Sequence, residues 1–171
     1  MCIRDRSEVI PYFSGFEIRN MDNLKQQISL EDLLTMRAGF DWEENIYAYT
    51  DPRNNCAQME KSSDWVQYVL DRPMAGKPGK VFVYNSGASQ LLSHLMKKFT
   101  GLHVDEYAKK YLFSPLGIRE FYWKRTPTEL PDTEGGLYLK PHDLAKIGYL
   151  YLRKGIWNGQ QILPKEWIEL S

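Results

Sequence analysis

The chain has 171 residues, 43% hydrophobic and 26% charged, enough apolar material to bury a core and too much for a disordered chain. Its 22 basic residues balance 22 acidic ones, so the formal net charge is zero and there is no basic footprint for nucleic acid or an anionic membrane. No apolar run approaches a membrane span, the N-terminus lacks the apolar core of a signal peptide, and two cysteines support neither a disulfide framework nor a metal site.

Residues 1–6, Met-Cys-Ile-Arg-Asp-Arg, resemble a translated sequencing adapter of the kind met in metagenomic assemblies, and the fold is read from residue 7 onward. Ser29-Leu-Glu-Asp32 is a capping-box pattern that opens a short helix through Leu33, Leu34 and Met36, ended by Gly39. From Gly39 to about Met59 the chain is polar and aromatic without a clear period and reads as a long loop, with Asp41, Glu43 and Glu44 on its solvated side. Its aromatic residues Trp42, Tyr47 and Tyr49 either shape a cleft or cover the core. Ser62 can cap a second helix carrying Trp65, Val66, Val69 and Leu70, stopped before Pro73, and a turn-rich connector then leads to a strand over Val81–Val83.

The strand delivers Tyr84 and Ser86 to the mouth of a helix whose Leu91, Leu92, Leu95, Met96 and Phe99 repeat with helical spacing, capped by Gly101. Residues two apart on an extended segment point the same way, so both hydroxyls can face one cleft while Asn85 faces elsewhere. Ser86 can equally serve as the N-cap of its helix. Tyr107, Ala108, Tyr111 and Leu112 mark another amphipathic helix, closed by Ser114–Gly117, and Phe121-Tyr-Trp123 is an aromatic edge. Gly135-Gly136 permits backbone geometry that other residues resist and close approach to a substrate. Pro141 suits the first turn of a helix whose face is Leu144, Ile147, Leu150 and Tyr151; Asn158-Gly159 signals a two-residue hairpin; Pro164 opens a last helix. Cys56 reads as a small buried or loop thiol, and His94, His103 and His142 as exposed or capping residues.

Several of these segments, in this order, resemble the serine beta-lactamase-related hydrolases: class C beta-lactamases, penicillin-binding-protein-like esterases and 6-aminohexanoate-oligomer hydrolases. The matches are Ile28–Met36 with Gly39, Pro78-Gly79 through Tyr84-Asn-Ser86-Gly87, Pro115-Leu-Gly117, Gly135-Gly136-Leu137, Asp143–Gly148 and Trp157-Asn-Gly159 to Trp167. The resemblance implies a mainly α chain with short β segments, the helical part of an α+β fold. It implies an incomplete domain over residues 7–171, truncated at both ends. The family's catalytic set joins a Ser-x-x-Lys nucleophile, a Tyr-x-Asn or Tyr-x-Ser motif and a later Lys- or His-x-Gly strand. Only the middle part matches, at Tyr84 and Ser86, and no serine of the sequence is followed three residues on by lysine.

By resemblance Tyr84 passes the nucleophile's proton to the leaving group, with Ser86 beside it, in the cleavage of small amides or esters without metal or organic cofactor. A tyrosine ordinarily titrates near 10, so one that works as a base at neutral pH needs a cation beside it; an ammonium about 4 Å away at an effective dielectric near 20 contributes about 4 kcal/mol. Trp42, Tyr47, Gly135 and Gly136 are the candidates for lining the substrate cleft. Serine rather than asparagine at position 86 resembles the oligomer-hydrolase and esterase branch, and Lys140 stands where the family usually caps a helix with Ser or Thr. The rival reading is a non-catalytic binding or regulatory domain on the same scaffold; a self-contained helical interaction module is a third.

Overall fold

The computed structural model describes residues 6–171, so the adapter-like hexapeptide lies outside the described residues except for Arg6, which pairs with Glu31 at 3.4 Å. After a single 3₁₀ turn at Ile10–Phe13 the helices are α1 (Asn23–Gln26), α2 (Leu30–Leu34), α3 (Asn55–Lys61), α4 (Trp65–Leu70), α5 (Ser86–Thr100) and α6 (Val104–Ala108). α6 widens into a π turn at Lys109–Phe113, and strand β1 (Phe121–Trp123) pairs antiparallel with β2 (Leu137–Leu139). Helix α7 (Pro141–Leu152), the hairpin β3 (Ile156–Trp157) and β4 (Gln160–Gln161), and α8 (Lys165–Leu170) complete the order. The mainly helical composition with short strands is the one the sequence leads to.

Local chemistry explains most boundaries. The capping box of α2 is formed: Ser29 Oγ accepts from Asp32 N–H (3.1 Å) while Asp32 accepts from Ser29 N–H (2.9 Å). Gly101 ends α5 in the left-handed conformation (φ 75°), and Asn158 and Gly159, at φ 47° and 79°, turn the β3–β4 hairpin. Four boundaries differ from expectation. Helix α2 stops at Leu34 rather than running through Met36, and Met36 itself takes a left-handed conformation (φ 54°) ahead of Gly39. The long loop ends at α3, capped by Asn54, whose Oδ1 accepts from Ala57 N–H (3.1 Å). Asp64, not Ser62, caps α4, accepting from Gln67 N–H (3.1 Å), because Ser62 already donates to Met59 C=O (2.7 Å) at the end of α3. Residues 81–83 form no strand and join no ladder; Val83 N–H donates to Met36 C=O (2.9 Å), and Val81 and Phe82 stay exposed.

Two apolar clusters form. The larger gathers Ile28, Leu33, Phe40, Trp42, Met59, Val69, Leu91 and Leu95 around α5. The smaller packs Phe113, Leu116, Ile118 and Leu150 under the β1–β2 pair. On α7 only Leu150 is fully buried, whereas Leu144 and Tyr151 are exposed, contrary to the single apolar face expected. His94 is half-buried rather than exposed: its ring stacks on Phe13 (4.9 Å between centroids), and partial burial lowers its pKa. Lys25 is fully buried, and its Nζ donates to the carbonyls of Leu70 and Arg72 (2.7 Å each), closing the C-terminus of α4, where a cation also meets the helix dipole. Polar side chains on α5 reach the other half: Ser93 Oγ donates to Pro131 C=O (2.8 Å) and Gln90 Oε1 accepts from Thr133 N–H (3.0 Å). Through these bonds α5 holds the segment that precedes β2 beside its own N-terminus.

Candidate active site

A cavity of about 350 Å³ opens where the start of α5, the long loop with α3, and the Asp132–Tyr138 segment converge. Tyr84 and Ser86 both line it, and Asn85 between them is buried. Asn85 takes the cap, its Oδ1 accepting from Ala88 N–H (2.8 Å), and Ser86 is the first residue of the helix rather than its cap. This division leaves the Ser86 hydroxyl available to the site. Gly87 follows because nothing larger fits: a Cβ there would lie 2.6 Å from Val69 and 2.8 Å from the Trp42 ring.

The remaining wall comes from Tyr49, Cys56, Glu60, Lys124, Asp132, Glu134, Gly135 and Tyr138. Gly135 lines the cavity with open space where a Cβ would be. Gly136 does not line it; its close approach is to Asp132 of its own turn, whose Cβ would be 2.6 Å from an added methyl. Neither glycine has a positive φ, so space rather than backbone conformation is what they provide. Trp42 lies beneath the cavity in the core, and Tyr47 lies outside the lining, its ring covered by the Arg53 guanidinium at 4.0 Å. The loop tyrosine that reaches the cavity is Tyr49.

The residue that the sequence suggests is solvated, and that the structure buries behind the cavity wall, is Glu44. It is 2% exposed, and its carboxylate accepts from Ser86 Oγ–H (2.8 Å), Ser86 N–H (2.8 Å), Tyr49 O–H (3.2 Å) and Trp42 Nε1–H (2.5 Å). No local pattern marks it, because its partners lie 42 positions away on α5 as well as in its own loop. Partial desolvation and the adjacent Glu44 carboxylate push the Tyr49 phenol up to about 12, which keeps it a donor. Asn54 pins the loop from below, its Nδ2 donating to the carbonyls of Glu44 (3.0 Å) and Tyr47 (2.8 Å).

Lys124 was likewise unmarked in the sequence. Its Nζ stands between Glu60 (3.4 Å) and Asp132 (3.5 Å), over the Trp65 ring at 5.4 Å. Burial disfavours this ammonium, but the two carboxylates outweigh burial and its pKa is raised. Asp132 is held in turn by the N–H groups of Glu134 (3.1 Å) and Gly135 (3.2 Å). Cys56 is buried, as a small thiol should be, and its Sγ–H donates to Glu134 (3.0 Å). Burial raises the pKa of both groups, so the thiol is an unreactive wall rather than a nucleophile. Among the described residues no cluster of three or more His, Cys, Asp or Glu side chains could hold a metal ion, and no helix is long and apolar enough to cross a membrane. The cavity thus offers a phenol and a hydroxyl at a helix mouth, backed by an ordered carboxylate.

Comparison with known proteins places the chain among relatives of similar fold. The chain is 24% identical to the 6-aminohexanoate-dimer hydrolase of Paenarthrobacter ureafaciens over 153 residues, 82% of this chain and 38% of that protein. It is 25% identical to the N-acetylmuramyl-L-alanine amidase of Bacillus subtilis over 114 residues, 66% of this chain and 25% of that one. A Bacillus anthracis structure described as a 6-aminohexanoate-dimer hydrolase superposes with a TM-score of 0.80 at 23% identity, covering 98% of this chain and 46% of its own. The chain therefore spans less than half the length of these relatives, and the structural likeness establishes the shared fold. The Beta-lactamase family model matches residues 10–167, a span that contains the Tyr84-Asn-Ser86-Gly87 mouth and every residue lining the cavity, and the chain belongs to that family.

Proposed function

We propose that the protein carrying this chain is a serine hydrolase that cleaves small amides or esters through an acyl-serine intermediate, with Tyr84 as its proton shuttle. The observation that carries the reading is the shared cavity of Tyr84 and Ser86 at the mouth of α5, in a chain of the Beta-lactamase family. In the proposed reaction a serine from a Ser-x-x-Lys motif, absent from this sequence, attacks the substrate carbonyl. Its hydroxyl proton passes to the Tyr84 oxygen, the bond from carbonyl carbon to leaving group breaks, and Tyr84 returns the proton to the departing nitrogen or oxygen. Water then releases the acyl group by the same route in reverse. Residues 7–171 are, in this reading, an incomplete domain whose nucleophile and later strand motif belong to the rest of the protein.

The test is to recover the flanking coding sequence and assay the full-length product and the 171-residue chain on p-nitrophenyl acetate. The full-length protein should turn over, the chain alone should not, and Tyr84→Phe should slow the full-length protein by about 10²–10⁴. The missing Ser-x-x-Lys also suits a second reading, a binding domain on the hydrolase scaffold. An intact reading frame without that motif, and a full-length product without turnover, would decide for it.

A further inference from the structure

We infer that Tyr122 and Tyr138 form an aromatic platform at the outer edge of the cavity and take a flat ring carried by the substrate, so that the site favours amides or esters with an aryl group over saturated ones of equal size. The inference rests on the hydrolase reading and deepens it by naming a substrate class. Strand alternation builds the platform. Tyr122 and Tyr138 lie directly opposite each other in the β1–β2 register, and directly opposed residues of an antiparallel pair share a face. The inner face of the pair, Phe121, Trp123, Leu137 and Leu139, packs on the smaller apolar cluster. The outer face carries the two tyrosines, 63% and 59% exposed, with ring centroids 5.6 Å apart.

That outer face runs into the cavity. Tyr138 lines it, and so does Lys124, two residues beyond Tyr122, whose backbone N–H donates to Gly136 C=O (2.8 Å) and so continues the pairing past β1. Tyr122 therefore extends outward a wall that already holds Tyr49, Tyr84 and Tyr138. With the opposite face of the pair packed in the core, the two rings cannot turn inward to bury themselves. The occupant is a small molecule rather than a protein chain: at this exposure the two rings offer on the order of 250 Å², against about 800 Å² on each side of a stable protein interface. A ring is favoured over a saturated group of the same size because an aromatic pair gains about 2–10-fold in affinity beyond what equal apolar area provides.

The test uses the full-length protein turning over p-nitrophenyl acetate and reads competitive inhibition by two matched pairs of amides. Phenylacetamide against cyclohexylacetamide puts the ring on the acyl side; N-benzylacetamide against N-(cyclohexylmethyl)acetamide puts it on the leaving side. In at least one pair the aromatic member should bind more tightly, and Tyr122→Leu and Tyr138→Leu should each lower that preference about 2–10-fold while Tyr138→Phe keeps it. The ratio of inhibition constants within a pair does not depend on the folded fraction of a variant. A preference absent from both pairs, or one that the leucine variants leave within about 1.5-fold of the unaltered protein, overturns the inference and leaves the hydrolase reading standing. Absence of p-nitrophenyl acetate turnover by the unaltered full-length protein sinks the hydrolase reading and this inference with it.

Discussion

Replacing Gly87 by alanine sets two opposed effects against each other in one methyl group. Alanine in a helix interior is worth about 1 kcal/mol over glycine, and less than that here, because Gly87 is only the second residue of α5. Against this, the added Cβ would stand 2.6 Å from Val69 Cγ2 and 2.8 and 2.9 Å from two atoms of the Trp42 ring. Carbon contacts are comfortable at about 3.5–4.0 Å, so both neighbours must retreat by about 1 Å. Neither is free to do so. Val69 is fully buried, and the Trp42 indole is buried and bonded through Nε1 to Glu44. Overpacking of this kind costs about 1–3 kcal/mol, so sterics win and Gly87→Ala should lower stability by about 1–2 kcal/mol net.

The matched control is Gly148→Ala. Gly148 lies inside α7 with nothing within 4 Å of an added Cβ, so propensity acts alone and should raise stability by about 0.5–1 kcal/mol. Urea unfolding of both variants at fixed pH gives the two signs directly, and for a chain of this size each kcal/mol moves Tm by about 2–4 °C. A Gly87→Ala protein as stable as the parent, beside a stabilised Gly148→Ala, would refute the claim that Trp42 and Val69 are immobile beneath the Tyr84–Gly87 mouth.

Lys25→Met should destabilise by about 2–4 kcal/mol in the same urea assay, because the carbonyls of Leu70 and Arg72 lose their buried donor. An unchanged midpoint would mean that water replaces the ammonium. His94 gives a pH dependence of known sign. Burial lowers its folded pKa from the ordinary 6.5, so the unfolded chain binds the proton more readily, and the contribution is full above about 6.5 and lost as pH falls below it. His94→Phe, which keeps an aromatic ring against Phe13, should therefore reduce the drop in Tm between pH 8 and pH 5. Parallel Tm profiles for the two proteins would remove His94 from the acid response.

What the amino-acid sequence alone determined is what depends on near neighbours. The Ser29–Asp32 capping box, the left-handed Gly101, the Asn158-Gly159 hairpin and Pro141 at the first turn of α7 are decided by sterics and hydrogen bonds within a few residues. The alternation that brings Tyr84 and Ser86 to one cavity is local in the same sense, and so is the order of motifs that places the chain in its family. Tertiary structure decided the fate of charge. Glu44, Lys25 and Lys124 look like surface residues in a polar context, yet each is placed by partners about 8–64 positions away: Glu44 by Ser86, Lys25 by Leu70 and Arg72, Lys124 by Glu60 and Asp132. Lys124 stays half-exposed, but Glu44 and Lys25 are buried, and burying a charge costs far more than a short stretch of chain can offset, so donors and acceptors assembled by the fold are what make it possible. The same holds for Trp42, drawn under Gly87 by a missing side chain 45 residues on, and for residues 81–83, whose apolar composition suggests a strand but which find none to pair with.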